Sequence, residues 1–251
     1  MSRRRFLVEP AALDGPEARL DASEAAHARK VLRLNVGDEV WLVDGHGRRA
    51  KARLTSLGKG GASCRIEAVE RLTPLRPRLV ICPGLAKGPA MDFLAARLTE
   101  LAVDEVRPFL AARGEVRLRD EDQRLERWRR LAGQALKQCG APLLPEFFAP
   151  LDLEALLALA PARAARLILY EGEDGRAMAQ VLAEAEGPAE VWALIGPEGG
   201  FTAAEVDRAA AVGFTPCGLG GVILRAETAC LAVAAVARFG AQNFDAAKMH
   251  S

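Results

Sequence analysis

The sequence predicts a mixed α/β protein, with a small β-barrel over residues 1–73 and a parallel α/β domain over residues 74–251. Three observations predict it. The amino-terminal part carries short, alternating apolar and polar runs broken by Gly-rich turns, as half-buried strands do. Thr73-Pro74-Leu75-Arg76-Pro77 then reads as a linker. Beyond it, near-continuous apolar strands alternate with helical segments, the pattern of a parallel sheet covered on both faces.

The elements follow in order. Phe6-Leu7-Val8 predicts a strand, and Asp21-Ala22-Ser23-Glu24 opens a short helix carrying His27 and Lys30. Asn35-Val36-Gly37-Asp38 is a turn, Glu39 to Val43 a strand, and Asp44-Gly45-His46-Gly47 a hairpin turn. Ala50 to Leu54 and Ser63 to Val69 alternate as strands. After the linker come a buried strand at Leu79 to Cys82, a helix over Ala90 to Ala102 and a strand over Val106 to Leu110. A long charged helix runs from Asp120 to Gln138. Leu167 to Tyr170, Met178 to Ala185 and Val191 to Ile195 read as strand, helix and strand. A helix opens near Thr202, a short strand ends at Leu224, and a small-residue helix ends near Phe239.

Composition narrows the function classes. Half of the 251 residues are hydrophobic, enough for a sizeable core. No run reaches the roughly 18–20 apolar residues of a membrane span. The start, Met1 to Val8, is basic but leads into Glu9-Pro10 rather than an apolar signal core. Five scattered cysteines without a C-x-x-C pair, and three distant histidines, supply no metal-ligand spacing, so no metal is expected and a reducing cytoplasm fits. The formal net charge of +1 hides an asymmetry: residues 1–75 hold 14 Lys and Arg against 10 Asp and Glu, the remainder 20 against 23. The near-neutral total argues against a histone-like or tail-driven nucleic-acid binder, and the amino-terminal part is the basic one.

Two segments carry the chemistry. Ile195-Gly196-Pro197-Glu198-Gly199-Gly200-Phe201-Thr202 ends a buried strand, and Thr202-Ala203-Ala204-Glu205 is a capping box for the next helix. Glycines at the carboxyl end of a parallel strand let the backbone approach a ligand, where such sheets bind one; a plain tight turn would look the same. In Leu219-Gly220-Gly221-Val222-Ile223-Leu224-Arg225-Ala226-Glu227-Thr228-Ala229, Arg and Glu sit at the mouth of a helix, pointing at that crevice or forming a cap and ion pair. Gly45-His46-Gly47-Arg48-Arg49-Ala50 matches G-x-G-x-x-A but joins strand to strand, so it lacks the helix N-terminus of a dinucleotide site. There is no phosphate-binding G-x-x-x-x-G-K-[ST] loop and no G-x-S-x-G elbow.

Together, Gly196-Pro197-Glu198-Gly199-Gly200-Phe201, Leu219-Gly220 and Ile223 to Ala229 resemble the 16S ribosomal RNA (uracil-N3) methyltransferases of the SPOUT superfamily. The resemblance runs nearly the full length. His27 to Leu34 with Val36-Gly37-Asp38 resembles the family's amino-terminal signature; Lys87-Gly88, Thr99-Glu100-Leu101, Arg127-Trp128 and Gln138-Cys139-Gly140 resemble its middle. It implies a PUA-like RNA-binding barrel, a SPOUT domain with a deep carboxyl-terminal trefoil knot, and a homodimer acting on 16S rRNA or the small ribosomal subunit.

The resemblance also implies S-adenosyl-L-methionine as cofactor, against Leu169, Tyr170, Glu171, Ile195, Gly196, Pro197, Glu198, Gly199, Gly200, Leu219, Gly220, Ile223, Leu224 and Thr228. A methyl sulfonium is already activated, so the protein mainly aligns uracil N3 with it and favours loss of the N3 proton. Arg225 is the candidate for stabilising the uracil anion, and Glu198 or Glu227 for taking the proton; either Glu could equally brace its loop. Arg3, Arg4, Arg5, Arg29, Lys30 and Arg33 are the candidate RNA contacts, or a solvated charged face, and His27 is expected to be a buried, hydrogen-bonded histidine. The chain departs from the family pattern at Arg97 (usually Lys), Ala102 (usually Gly), Ala112-Arg113-Gly114 (usually a Glu-Arg-Ser-like stretch) and Ala141 (usually Arg). These departures leave two alternatives open: a degenerate rRNA-binding paralogue without activity, or a SPOUT enzyme acting on a different base.

Overall fold

The computed structural model describes residues 4–85, 89–114, 120–170, 176–185 and 187–240. The chain divides into two compact units, residues 1–74 with 133–144 and residues 75–132 with 145–251. Arg3, Glu171 and the Lys87-Gly88 pair lie outside the described residues.

The first unit is one sheet of strands β1 (Arg5–Leu7), β2 (Glu17–Leu20), β3 (Glu39–Val43), β4 (Arg48–Leu57) and β5 (Ala62–Arg71), with helix α1 (Ala22–Lys30) between β2 and β3. Its order is β1-β3-β4-β5-β2. The expected barrel is therefore a curled half-barrel: β1 and β2 are its edges, and no ladder joins them among the described residues. Register shifts at Lys51/Ala52 and Leu54/Ser56 bend the long β4–β5 ladder, as bulges do. Alternate side chains then meet in one core of Phe6, Leu20, Ala25, Leu42, Leu54 and Cys64. Asp21 caps α1 by accepting from the Glu24 N–H at 2.8 Å. Beyond α1, Arg33 takes a left-handed φ of 53°, and the Leu34 N–H returns to the Ala28 carbonyl, so Leu34 reaches the core. His27 is half-buried rather than buried, its ring edge-on to Phe6 at 6.5 Å.

The second unit contains β6 (Arg78–Pro83), α2 (Ala90–Glu100), β7 (Glu105–Val106), β8 (Phe109–Leu110), α3 (Glu121–Cys139), β9 (Glu146–Phe147), β10 (Leu151–Asp152) and α4 (Leu153–Leu159). It continues through β11 (Ala165–Leu169), β12 (Arg176–Ala177), α5 (Met178–Glu184), β13 (Glu190–Ile195), α6 (Ala203–Ala211), β14 (Thr215–Gly218) and α7 (Ala226–Phe239). Residues 133–139 of α3 cluster with the first unit. Seven strands form an all-parallel sheet in the order β12-β14-β11-β13-β6-β7-β9, as the apolar runs predict. Val80, Cys82, Ile168, Trp192 and Leu194 bury one face under α4 and α6. α7 packs on β6 and β13 and against α2.

Two expectations fail here. Val222-Ile223-Leu224 is not a strand; residues 219–225 are an irregular connection with Val222 and Ile223 exposed. Gly220, at a φ of 122°, and Gly221 turn the chain away from the sheet before any ladder can extend. The strand lies earlier, at Thr215–Gly218, where Pro216 lacks a ladder donor. The predicted strand over Val106 to Leu110 is two short strands in different sheets. Ala102, where the family pattern has Gly, carries a left-handed φ of 52°, a conformation that costs a residue with a Cβ about 1 kcal/mol. The buried Arg238 guanidinium braces that turn by donating to the carbonyls of Pro77 and Ala102 and to Asp104 Oδ2. No described helix is long and apolar enough to cross a membrane.

Candidate active site

Three adjacent strands end together. Leu169 of β11 is in register with Ile195 of β13 on one side and Cys217 of β14 on the other. A cavity of about 460 Å³ opens beyond these carboxyl ends, the usual ligand position in a parallel sheet and of small-molecule size. Leu169, Ile195, Leu219, Ile223 and Leu224 supply its apolar surface; Ala226 and Ala229 of α7 keep one wall small.

The glycine loop is built by close approach. Gly196 is closely packed: a Cβ would lie 3.2 Å from Gly200 and from the Phe201 ring, so the loop would have to give by a few tenths of an ångström. A Cβ on Gly84, whose N–H donates to the Ile195 carbonyl at 2.7 Å, would collide with Pro197 Cδ and with its backbone N at 2.6 Å. The Gly200 N–H closes a turn on the Pro197 carbonyl at 2.8 Å, and Gly200 itself sits at a φ of 65°. Phe201 then stacks on Phe109 with ring centroids 5.8 Å apart. The capping box forms as expected: Thr202 accepts from the Glu205 N–H, and Glu205 Oε2 accepts from the Thr202 N–H at 2.7 Å and from its hydroxyl. Glu205 is 1% exposed, and its Oε1 also accepts from the Ala112 N–H at 2.8 Å. Burial opposes its ionisation, but these donors outweigh burial and hold the carboxyl below its ordinary 4.5.

Of the sequence-predicted cofactor residues, Leu169, Tyr170, Ile195, Gly196, Pro197, Glu198, Gly200, Leu219, Ile223 and Leu224 line this one cavity. Gly199, Gly220 and Thr228 do not: Gly199 faces Arg113, Gly220 shapes the connection, and Thr228 is exposed on α7. Arg225 lines the cavity at the N-cap of α7. Glu198 lines it as well, whereas Glu227 sits half-buried in the first turn of α7, where a carboxylate complements the positive helix end.

Sequence reasoning missed Arg113, Phe201, Cys217, Gly218, Ala226 and Ala229 among the lining residues. Phe201, Ala226 and Ala229 lay inside the quoted motifs, so contiguity was the available signal; Cys217 and Gly218 lay on the missed strand. Arg113 keeps the middle residue of the Glu-Arg-Ser-like stretch, which was the available signal, but its partners Gly199 and Phe201 are remote in sequence, so composition and periodicity could not place it at the cavity. Cys217 is no nucleophile at neutral pH, since burial pushes its thiol up to about 11. The acidic excess of this part of the chain does not gather here, for the lining carries Arg113 and Arg225 against Glu198.

The candidate RNA contacts separate into two groups. Arg5 is turned inward, its Nη1 donating to the carbonyls of Lys137 at 3.3 Å and Gln138 at 2.8 Å, where it closes the end of α3. Arg4 pairs with Asp38 at 3.1 Å. On the sheet, Arg48, Arg49, Lys51 and Arg53 likewise hold carboxylates. Arg29, Lys30 and Arg33, at the end of α1, are exposed and make no ion pair among the described residues.

Comparison with known proteins places these features. Residues 73–238 match the RNA methyltransferase domain, and residues 20–67 match the RNA methyltransferase PUA domain. The chain is 30% identical over 225 residues to ribosomal RNA small subunit methyltransferase E of Bacillus subtilis, covering 87% of this chain and 88% of that one. It superimposes with a TM-score of 0.80 and 28% identity on the Neisseria gonorrhoeae protein of that name bound to S-adenosyl methionine, over 94% of this chain and 96% of that one. A Legionella pneumophila methyltransferase in complex with the cofactor SAM gives a TM-score of 0.81 at 25% identity, with 94% and 96% covered. A half-barrel of PUA type, a parallel α/β domain of SPOUT type and a cavity walled by both carboxyl-terminal motifs occur in one chain that these relatives match along most of its length: it belongs to the ribosomal RNA small subunit methyltransferase E family of RNA methyltransferases.

Proposed function

We propose that this chain transfers a methyl group from S-adenosyl-L-methionine to N3 of a uridine in 16S rRNA of the small ribosomal subunit. The observation that carries this reading is the single cavity that gathers the glycine loop and the Leu219–Arg225 connection at the ends of β11, β13 and β14. Two solved relatives hold S-adenosylmethionine, and the curated relative from Bacillus subtilis is called a small-subunit rRNA methyltransferase.

The residues present fit that cofactor. Leucine and isoleucine side chains offer apolar walls, and Gly196 presents bare backbone to the cavity. When bound, the cofactor supplies a methyl group on a positively charged sulfur, so no protein nucleophile is required. The protein's share is alignment and proton management. Arg225, at the positive end of a 14-residue helix, puts a cation and a helix dipole beside the base, which favours the N3 anion. Glu198 is the better-placed proton acceptor of the two glutamates, because it faces the cavity and Glu227 does not.

Phosphate contacts from Arg29, Lys30 and Arg33 would hold the RNA on the first unit without reading its sequence. We further assign the chain a trefoil-knotted carboxyl-terminal region, a homodimeric state and a cytoplasmic location, in keeping with the family resemblance. Incubation with labelled cofactor and unmodified small subunits, followed by mapping of the modified base, tests the function. A single N3-methyluridine in 16S rRNA is expected. Cofactor binding without a modified base would identify a degenerate RNA-binding protein instead.

A further inference from the structure

Arg113, flanked by Ala112 and Gly114, stands at the edge of the cavity with no acidic neighbour in its own turn. It lies on a turn closed by the Gly114 N–H on the Ala111 carbonyl at 2.9 Å, beside the cavity. Its Nη1 alone is spent on protein, donating to the carbonyls of Gly199 at 3.2 Å and Phe201 at 3.4 Å. The turn is fixed from the other side, where the Ala112 N–H is held by the buried Glu205 carboxylate. Among the described residues, no protein group takes the donors on Nε and Nη2 and no carboxylate pairs with this guanidinium. One edge of the guanidinium is therefore anchored, and the opposite edge, which matches an oxyanion in bidentate fashion, is left open on the exposed side of a cavity wall.

We infer that Arg113 is a phosphate-binding residue that takes the RNA backbone next to the target nucleotide. This rests on the proposed function above and deepens it. The cofactor is a net cation, so a second guanidinium beside Arg225 works against its binding unless the charge faces another ligand. An exposed fork with one nitrogen already immobilised loses little side-chain entropy on meeting a phosphate. The cofactor's own carboxylate offers the same chemistry and is the competing source of the oxyanion.

Arg113→Lys and Arg113→Gln separate the sources. Lys keeps the charge, and Gln keeps an N–H donor for the loop carbonyls without it. Cofactor affinity by calorimetry, and affinity for a 16S rRNA fragment across a salt series, are the readouts. For Arg113→Gln, cofactor affinity should stay within about twofold of wild type, while RNA affinity falls about tenfold and the salt slope drops by about 1. Arg113→Lys should retain the wild-type slope. Weakened cofactor binding in Arg113→Gln with an unchanged RNA slope would overturn the inference in favour of the carboxylate; unchanged values throughout would overturn it outright. RNA binding is read without turnover, so failure of this inference stays distinguishable from a wild-type protein that methylates no uridine.

Discussion

The glycine loop is held from several sides, whereas the connection at residues 219–224 on the other wall is hardly held at all. Gly84 and Pro197 pack backbone to backbone, Gly200 closes a turn, and Glu205 ties Thr202 and Ala112 together. Residues 219–224 make no backbone hydrogen bond to protein among the described residues, and Ile223 is 87% exposed at the cavity edge. A preorganised wall fixes where a ligand sits, while a loosely bonded one can order around it. The two walls thus differ in how firmly they are held, and each side of that difference can be broken separately.

The largest effect should come from the carboxylate that organises the braced loop. Glu205→Ala removes the acceptor for two backbone N–H groups and a hydroxyl, and should cost about 3 kcal/mol in urea unfolding. Its pH dependence has a defined sign. The folded carboxyl titrates below its ordinary 4.5, so its contribution is complete above that value and is lost as pH falls through the folded pKa. Stability of the wild type should therefore fall more steeply than that of Glu205→Ala as pH drops below 4.5. Parallel pH profiles would contradict the assignment.

Gly84→Ala should rank next. Its Cβ meets Pro197 backbone at 2.6 Å, too close for either chain to stay in place, and a loss of about 1–3 kcal/mol in unfolding free energy is expected, with weaker cofactor binding. Ile223→Ser, on the open wall, should do the reverse: stability within about 0.5 kcal/mol of wild type, because the side chain is solvated, but measurably lower cofactor affinity by calorimetry. A destabilised Ile223→Ser protein would mean that the open wall is braced after all.

The same contrast explains what could be read in advance. The glycine loop was legible because its signals are local: the end of a buried strand, close-packed glycines and a T-x-x-E capping box lie within eleven residues, from Ile195 to Glu205. The second wall was misread because Val222-Ile223-Leu224 has the composition of a strand, and composition cannot tell an exposed apolar run from a buried one. Thr215–Gly218 was hidden by Pro216 and Gly218, and α4 by an almost unbroken apolar run with no helical period. Arg113 depends on the tertiary fold, as do the cations of the first unit. Sequence reads Arg5 and Arg29 alike, yet one caps a helix and the other is open to solvent. Of the candidate RNA contacts, Arg29, Lys30 and Arg33 thus remain as one exposed group at the end of α1, while Arg19, Lys59, Arg65 and Arg71 are further exposed cations of the same unit.

The most direct test of the central claim, that the braced glycine loop forms the cofactor site, is calorimetric titration of S-adenosylmethionine into wild type and Gly196→Val, with folding of both confirmed by circular dichroism. At Gly196 even a Cβ would lie 3.2 Å from Gly200 and Phe201, so the larger side chain must displace the loop. One site per chain in the wild type, and at least about tenfold weaker binding in a folded Gly196→Val, are predicted, a difference of about 1.4 kcal/mol. Equal affinities in two folded proteins would contradict the account.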